Sequence, residues 1–262
     1  MEVRRTVRWA RALSVASLSL TLYGCLAQPV SIEPPDVPRA PRGHIVVRPG
    51  RPGFVVAAPH GTTDPQTGDL AAELARRTGF GLVVAAGFAI DPDTRQGPGR
   101  RFQVNRPSEG APGRPPSEDV PSDSAQQIYL AYEKRVQEAA QGRLAFYAEI
   151  HGNGRRETAG RIEVATVGVD REFASRLRTL FELIRDAYLR GHPATPRLEM
   201  VVEPADKVFY AASDAKRDGI LRFPTRALHF ELPRIARVEA REPYLVILAD
   251  FLTQAATLPV GR

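Results

Sequence analysis

Short apolar runs of strand length alternate with longer amphipathic stretches along most of this sequence. Residues 54–58 and 81–86 are continuously apolar, which is typical of parallel strands covered on both faces. Residues 172–189 instead place large apolar side chains along one face of a helix. The alternation predicts an α/β fold with a mostly parallel or mixed central sheet and helices on both faces.

The individual elements can be placed from the same patterns. We expect a hairpin of strands 44–47 and 54–58, joined through the Gly- and Pro-rich residues 49–53. The other expected strands are 81–86, 143–150, 161–167, 198–202 and 226–232, and the expected helices are 69–77, 126–140, 172–189 and 243–255. Asp69 is expected to cap the first helix. Residues 91–124 are polar and rich in Gly, Pro and Arg, which predicts either a lid over a site or a disordered insert.

The first 42 residues have a different composition from the rest of the chain. Four arginines precede an apolar run, and the run ends in Leu22-Tyr23-Gly24-Cys25, which resembles the lipobox of bacterial lipoproteins. Residues 1–25 are therefore expected to be a lipoprotein-type signal peptide, with lipid on Cys25 anchoring the protein to the cell envelope. An ordinary signal peptide and an uncleaved anchor are the alternatives. Residues 26–42 are Pro-rich and predict an extended tether, so that 43–262 form a single α/β domain.

Charge and cysteine content narrow the function classes. The chain of 262 residues has a formal charge of +6, and without the leader 32 basic and 29 acidic residues remain. This small surplus, with no basic run interleaved with aromatic residues, does not favour nucleic acid as a partner. Cys25 is the only cysteine, which excludes an internal disulfide and any cysteine pair as metal ligands.

Residues suited to chemistry occur at four points. Three of the four follow or end apolar strands, so a parallel sheet would bring them to one edge. The four segments are His60 with Asp64, Phe102 to Gly110, Glu149 to Asn153, and His229 to Arg234.

These residue types fit a hydrolytic metal site. A catalytic zinc takes three nitrogen or oxygen ligands and keeps one position open, and His60, Asp64 and His151 offer two imidazoles and a carboxylate. Glu231 shares a strand face with His229 and is a candidate general base, with a structural ion pair to a nearby arginine as the alternative.

Two further assignments concern the substrate and the acidic ligand. Arg106 has a planar guanidinium suited to a substrate carboxylate, and Asn105 beside it can add a hydrogen bond. Asp69 is a candidate to replace Asp64 as the acidic ligand.

Taken in order, the four segments resemble the N-formylglutamate amidohydrolase family and its zinc carboxypeptidase-like relatives. The segments that carry the resemblance are Pro59-His60-Gly61, Val104-Asn105-Arg106-Pro107, Ala148-Glu149-Ile150-His151-Gly152 and Ala227 to Arg234. The resemblance implies a phosphorylase/hydrolase-like fold and one zinc held by His60, Asp64 and His151. It also implies Glu231 as the general base and Arg106 as the carboxylate anchor.

One position departs from the carboxypeptidases of this group. They place an acidic ligand three residues after the first histidine, where this chain has Thr63, and Asp64 follows one residue later. The His-Gly start followed by an acid and a proline also resembles poly-γ-glutamate hydrolases.

The sequence thus predicts a zinc-dependent hydrolase that cleaves an amide or peptide bond in a carboxylate-bearing substrate at the cell envelope. The alternative is a non-catalytic envelope binding protein that keeps the fold and grips an anionic ligand through Arg106. A serine esterase is disfavoured because the sequence has no Gly-x-Ser-x-Gly elbow.

Overall fold

The computed structural model describes residues 30–31, 43–61, 63–90 and 99–259. The strands are β1 (Val30–Ser31), β2 (His44–Arg48), β3 (Arg51–Ala58), β4 (Phe80–Ala86), β5 (Ala89–Ile90), β6 (Arg100–Phe102), β7 (Ser108–Gly110), β8 (Val120–Pro121), β9 (Phe146–Asn153), β10 (Arg161–Val167), β11 (Glu199–Val202) and β12 (Arg226–Pro233). The helices are α1 (Thr67–Thr78), α2 (Asp123–Ala140), α3 (Arg171–Leu189), α4 (Ser213–Arg217), α5 (Arg234–Arg237) and α6 (Arg241–Ala255).

A mixed central sheet organises the described residues. Its strand order is β1-β2-β4-β3-β9-β12-β10-β11. The strands β4, β3, β9 and β12 run parallel to one another, and β10 pairs parallel with β11. Antiparallel pairs join β1 to β2, β2 to β4, and β12 to β10. The predicted α/β class with a mostly parallel or mixed sheet is confirmed.

The predicted hairpin of the first two long strands is wrong. Strands β2 and β3 form where expected, but β4 lies between them and pairs with both. The residues 49–50 that link β2 to β3 therefore cross the end of β4, and the amide of Arg51 bonds to the carbonyl of Gly79 at 2.7 Å. Inserting β4 places the apolar run of β4 at the interior of the sheet, where both of its faces are covered.

Helices cover both faces of the sheet, as predicted. Helices α1, α3 and α6 pack together on one face and form the larger apolar core with the sheet. Helix α2 packs across β2, β3 and β4 on the other face and forms the second core. Helix α1 begins at Thr67, so Asp69 lies in its first turn and does not cap it, contrary to expectation.

In the two central strands β9 and β12, side chains that face the larger apolar core alternate with side chains that face α2 and the cavity. Phe146, Ala148 and Ile150 of β9 face the larger core, and Leu228, Phe230 and Leu232 of β12 do the same. The side chains between them point to the α2 face. Helix α2 covers Tyr147 and Ala227 near the start of these strands, and the polar side chains near their ends adjoin a cavity.

The described part of the Gly- and Pro-rich segment, residues 99–124, contains regular strands. Strands β5, β6, β7 and β8 form a small antiparallel sheet, and residues 91–98 lie outside the described residues. Its loop 103–107 lies beside the ends of β9 and β12, where it supplies residues to the site.

Most of the residues predicted as signal peptide and tether lie outside the part of the chain that the structure describes. The predicted signal peptide 1–25 lies outside the described residues, as does the predicted tether 26–42 apart from β1, whose two residues pair with His44 and Ile45. Among the residues that the structure describes, no helix has the length and apolar character to span a membrane.

Candidate metal centre and active site

A cavity of about 540 Å³ opens at the carboxyl edge of β3, β9 and β12. This is the edge where open α/β sheets place their sites, because the loops that follow parallel strands converge there. The cavity is lined by six of the predicted site residues, which are His60, Asp64, Asn105, Arg106, His151 and Glu231.

A tight turn brings Asp64 back to His60. The amide of Asp64 donates to the carbonyl of His60 at 2.8 Å, and Thr67 Oγ1 donates to the carbonyl of Asp64 at 2.7 Å. One carboxylate oxygen of Asp64 also accepts from the amide of Gly152 at 3.2 Å, across the gap to β9. The four-residue spacing of His60 and Asp64 is therefore compatible with a shared site.

The spacing of three side-chain atoms fits a metal ion. Asp64 Oδ2 lies 3.6 Å from His60 Nδ1 and 3.5 Å from His151 Nδ1. Both distances exceed the usual hydrogen-bond range. They approach the separation of about 3.3 Å between two ligand atoms of a tetrahedral zinc with bonds of about 2.0–2.1 Å. His60, Asp64 and His151 thus form a group that could hold a metal ion.

The remaining ring nitrogens of these two histidines face acceptors. His60 Nε2 lies 3.0 Å from the carbonyl oxygen of Gln103, which can only accept, so the proton belongs on Nε2 and the lone pair of a neutral ring on Nδ1. His151 Nε2 lies 3.1 Å from Glu149 Oε2, an ion-pair contact whose angle does not satisfy a hydrogen bond. Metal-binding histidines commonly turn their second nitrogen to such a carbonyl or carboxylate, which orients the ring.

A strained turn at Val104 orients the loop that contacts His60. Val104 has a φ of 58°, in the left-handed region that a β-branched residue rarely adopts. The amide of Ile220 holds the loop by donating to the carbonyl of Asn105 at 2.9 Å. The turn points the Gln103 carbonyl at His60 and the Asn105 side chain at Glu149, so the strain lies where the site is assembled.

A second polar group, of Glu149, His151 and His229, lies deeper than the first. Glu149 is completely buried and accepts from Tyr147 Oη at 3.1 Å and from Asn105 Nδ2 at 3.2 Å. Its Oε2 also lies 2.8 Å from His229 Nδ1, a hydrogen-bond distance that leaves no room for an ion between them. Of the two groups, the first therefore has the spacing that suits a metal ion better.

The charges of these buried groups are strongly coupled. Burial alone raises the pKa of Glu149, but the contacts with His151 and His229 outweigh burial and hold that pKa well below its usual value. Burial likewise raises the pKa of Asp64, and His151 and His60 reverse the effect. Both carboxylates are thus ionised, which suits a cation between the histidines.

Glu231 stands beside the candidate ligands without belonging to them. Its Oε1 lies 3.2 Å from His229 Nε2, on the strand face that the alternation predicts. The alternative of an ion pair with a nearby arginine is not what the structure has. Arg234 pairs with Glu239, and the Arg237 guanidinium donates to backbone carbonyls. Glu231 thus lines the cavity without an arginine ion pair among the described residues, and its contact of this kind is with the His229 ring.

Arg237 supports the edge of the sheet from behind. It donates to the carbonyl of Pro65 in the loop after β3 and to those of Leu232 and Asn153 at the ends of β12 and β9, the segments that carry the candidate ligands and Glu231. A Cβ atom on Gly152 would lie 2.8 Å from the carbon of this guanidinium, so only glycine lets the arginine approach.

Arg106 and Asn105 have protein partners of their own. Arg106 donates to Asp119 at 3.0 Å, and Arg101 donates to the other oxygen of the same carboxylate at 3.1 Å. Asn105 Nδ2 donates one hydrogen bond to Glu149 Oε2, while Asn105 Oδ1 is buried with no hydrogen-bond partner in the described part of the chain. Asn105 thus contacts the buried acid as well as lining the cavity.

Several residues that complete the site have no role predicted from the sequence. Gln103 acts through its backbone carbonyl, which no side-chain pattern reveals. Tyr147, Glu149 and His229 carry a signal that could have been used, because alternation from His151 and Glu231 places all three on the site face. Asp69 is exposed and lines another cleft with Arg48 and Arg76.

The metal-free protein is expected to lose stability as the pH rises above about 6.5. Burial alone lowers the pKa of His151, but Asp64 and Glu149 more than offset burial and raise the pKa from 6.5 to about 10. The folded state therefore keeps a proton that the unfolded chain releases near 6.5, and the resulting stability is lost as the pH rises through the folded pKa. Urea unfolding of metal-free protein at pH of about 6 and about 9 measures the effect, which should be smaller in His151→Ala. Equal unfolding free energies of the wild type at the two pH values would contradict it.

Several solved structures are distantly similar to this protein. No family model matches the sequence, and no curated protein matches it. A bacteriophage poly-γ-glutamate hydrolase is 13% identical with a TM-score of 0.44, covering 81% of this chain and 87% of its own. The N-acetylmuramoyl-L-alanine amidase AmiC2 of Nostoc punctiforme is 14% identical with a TM-score of 0.34, covering 78% of this chain and 98% of its own.

A metallo-carboxypeptidase from Burkholderia cenocepacia is 16% identical with a TM-score of 0.35, covering 88% of this chain and 64% of its own. At such identities and TM-scores the functional assignment depends on the geometry of the site itself.

Proposed function

We propose that this protein is a zinc-dependent hydrolase that cleaves an amide or peptide bond in a carboxylate-bearing substrate. The observation that carries the proposal is the pairing of a three-ligand group with a separate carboxylate in one cavity. His60, Asp64 and His151 hold the metal, and Glu231 remains outside the ligand set. Three nitrogen and oxygen ligands with an open side are the pattern of catalytic zinc sites.

The metal and the protein have separate tasks in this proposal. A zinc ion bound there supplies Lewis acidity, which polarises a carbonyl oxygen and lowers the pKa of water. Glu231 takes the proton of the water that adds to the amide carbon. The same carboxylic acid then gives this proton to the amine nitrogen as the carbon–nitrogen bond breaks. The products are a carboxylic acid and an amine.

Arg106 supports the proposed specificity for a carboxylate. Two guanidinium groups, of Arg101 and Arg106, share the single carboxylate of Asp119, which leaves one positive charge beside the cavity without a second ion-pair partner among the described residues. A substrate carboxylate would complete this group, and Asn105 would contribute from the neighbouring loop. The proposed substrates are peptides, cell-wall fragments or other N-acyl amino acids.

We also propose an envelope location for the enzyme. The support is the sequence of the leader, with its arginines, apolar run and Cys25 lipobox. A substrate from the cell wall would be within reach of a lipid-anchored enzyme.

The test compares two aspartates near the N-terminus of α1. Asp64→Asn should weaken zinc binding by more than the roughly 10- to 100-fold that loss of an outer-shell partner costs, because it removes the charged ligand. Asp69→Asn is the matched control, since Asp69 is exposed and lies in a different cleft. Zinc titration by calorimetry and hydrolysis of N-acyl amino acids and peptides are measured for both.

Each outcome decides between the proposed functions. Stoichiometric zinc in wild type and Asp69→Asn, with hydrolysis of an amide substrate, supports the enzyme. Stoichiometric zinc without hydrolysis of any such substrate supports the envelope binding protein. Equal zinc affinities of the two variants would remove Asp64 from the ligand set.

A further inference from the structure

Glu231 is connected to the protein interior by two buried residues that the proposed reaction does not use, His229 and Glu149. Strands β9 and β12 pair in parallel with His229 beside Glu149 and Glu231 beside His151. All four side chains lie on the site face of the sheet, and the rings of His151 and His229 lie with their centroids 4.2 Å apart. His229 therefore lies between the acid that contacts His151 and the acid that lines the cavity.

His229 contacts both acids at once. Its Nδ1 lies 2.8 Å from Glu149 Oε2, and its Nε2 lies 3.2 Å from Glu231 Oε1. The two ring nitrogens of an imidazole are fixed relative to each other, so an anchored Nδ1 determines where Nε2 points. The position of Glu149 thus determines, through the ring, where one oxygen of Glu231 lies.

Glu149 is a rigid anchor for this ring. It is fully buried, and besides His229 it accepts hydrogen bonds from Tyr147 and Asn105. Tyr147 Oη in turn lies 3.0 Å from Tyr132 Oη on α2. Hydrogen bonds to a buried carboxylate are strong and directional, so the acid cannot shift without breaking several of them.

We infer that Glu149 and His229 are positioning residues that hold the carboxylate of Glu231 in its reactive orientation. The inference depends on the proposed function, because it assigns to Glu231 the role of general base. One oxygen of Glu231 is fixed by His229 Nε2, which leaves the other oxygen to face the substrate water. Misplacement of such a group by about 1 Å costs roughly 100-fold in rate.

Two substitutions of the same residue separate this role from a general structural one. The amide nitrogen of glutamine takes the place of Nε2, so His229→Gln keeps the donor to Glu231 and loses the contact with Glu149. The amide nitrogen of asparagine takes the place of Nδ1, so His229→Asn keeps the contact with Glu149 and leaves Glu231 unsupported. We expect kcat to fall about 10- to 100-fold in His229→Asn with KM unchanged, and to fall less in His229→Gln.

Zinc stoichiometry and the urea midpoint are measured for both variants beside the kinetics. Stoichiometric zinc in each, with the kcat loss confined to His229→Asn, supports the inference. Equal kcat values in the two variants, or an effect on KM alone, would overturn the inference. The proposed function would still stand in that case, because the wild type hydrolyses the substrate. Absence of hydrolysis in the wild type would overturn both.

A milder variant covers the case in which His229→Asn does not fold. Tyr147→Phe removes a single hydroxyl that donates to Glu149, and it should lower kcat without changing KM. Tyr188→Phe on α3, on the opposite side of the sheet, is the control. Unchanged kcat in Tyr147→Phe would then overturn the inference.

Discussion

Replacing Glu231 with glutamine is expected to lower kcat by about 10²- to 10⁴-fold, the usual contribution of a general acid–base group. The amide keeps the size of the side chain and a hydrogen-bonding contact with His229, but it cannot accept a proton from water. Because Glu231 is not among the three candidate ligands, zinc stoichiometry should remain that of the wild type. Steady-state kinetics and metal analysis on the same preparation measure both.

Glu239→Gln is the matched control for this change. Glu239 is an exposed carboxylate that pairs with Arg234 on α5, and its replacement should leave kcat and zinc content unchanged. Activity retained in Glu231→Gln would remove Glu231 from its proposed role. Loss of zinc in that variant would instead place Glu231 among the ligands.

Replacing His151 with alanine is expected to abolish both zinc binding and hydrolysis. His151 contributes Nδ1 to the candidate ligand group and also contacts the two buried carboxylates, Asp64 and Glu149. Its removal leaves these acids with fewer partners, so the metal-free protein should lose about 1–3 kcal/mol of unfolding free energy near neutral pH. Zinc content and urea unfolding measure the two effects.

His192→Ala is the control histidine. His192 is exposed and stacks on Tyr188 with ring centroids 4.6 Å apart, far along the chain from any candidate ligand. Its loss should change neither zinc content nor activity. One equivalent of zinc retained in His151→Ala would show that the metal is held at another site.

Periodicity predicts the positions of most elements of the central sheet, but it does not predict that β4 lies between β2 and β3. Long helices such as α2 and α3 and the buried strands have strong patterns, and their predicted positions agree with the structure to within a few residues. Strands β2 and β3 adjoin in sequence and are separated by a Gly- and Pro-rich link, which looks like a hairpin. Their separation by β4 depends on the burial that β4 gains at the interior of the sheet, and this gain is not visible in either strand alone.

The candidate site could be predicted only in part, because part of it depends on backbone geometry. His60, His151 and Glu231 follow or end apolar strands, so the edge of a parallel sheet explains why they meet. The orientation of His60 instead depends on a carbonyl presented by a strained turn at Val104. Asp119 binds Arg106 from thirteen residues further along the chain, across a small sheet that polar, Gly-rich sequence does not predict.

The alternation in β9 and β12 also limits how this protein can diverge. Toward the carboxyl ends of these strands, every second residue belongs to the larger apolar core and the polar residues between them belong to the site. Point substitutions at site positions can therefore change the chemistry without disturbing the packing beneath it. Deletion of one residue within β9 would exchange the two sets, placing Glu149 and His151 against the apolar helices. New activities on this scaffold are thus open to substitution in the two strands, whereas changes in length are confined to the loops beyond them.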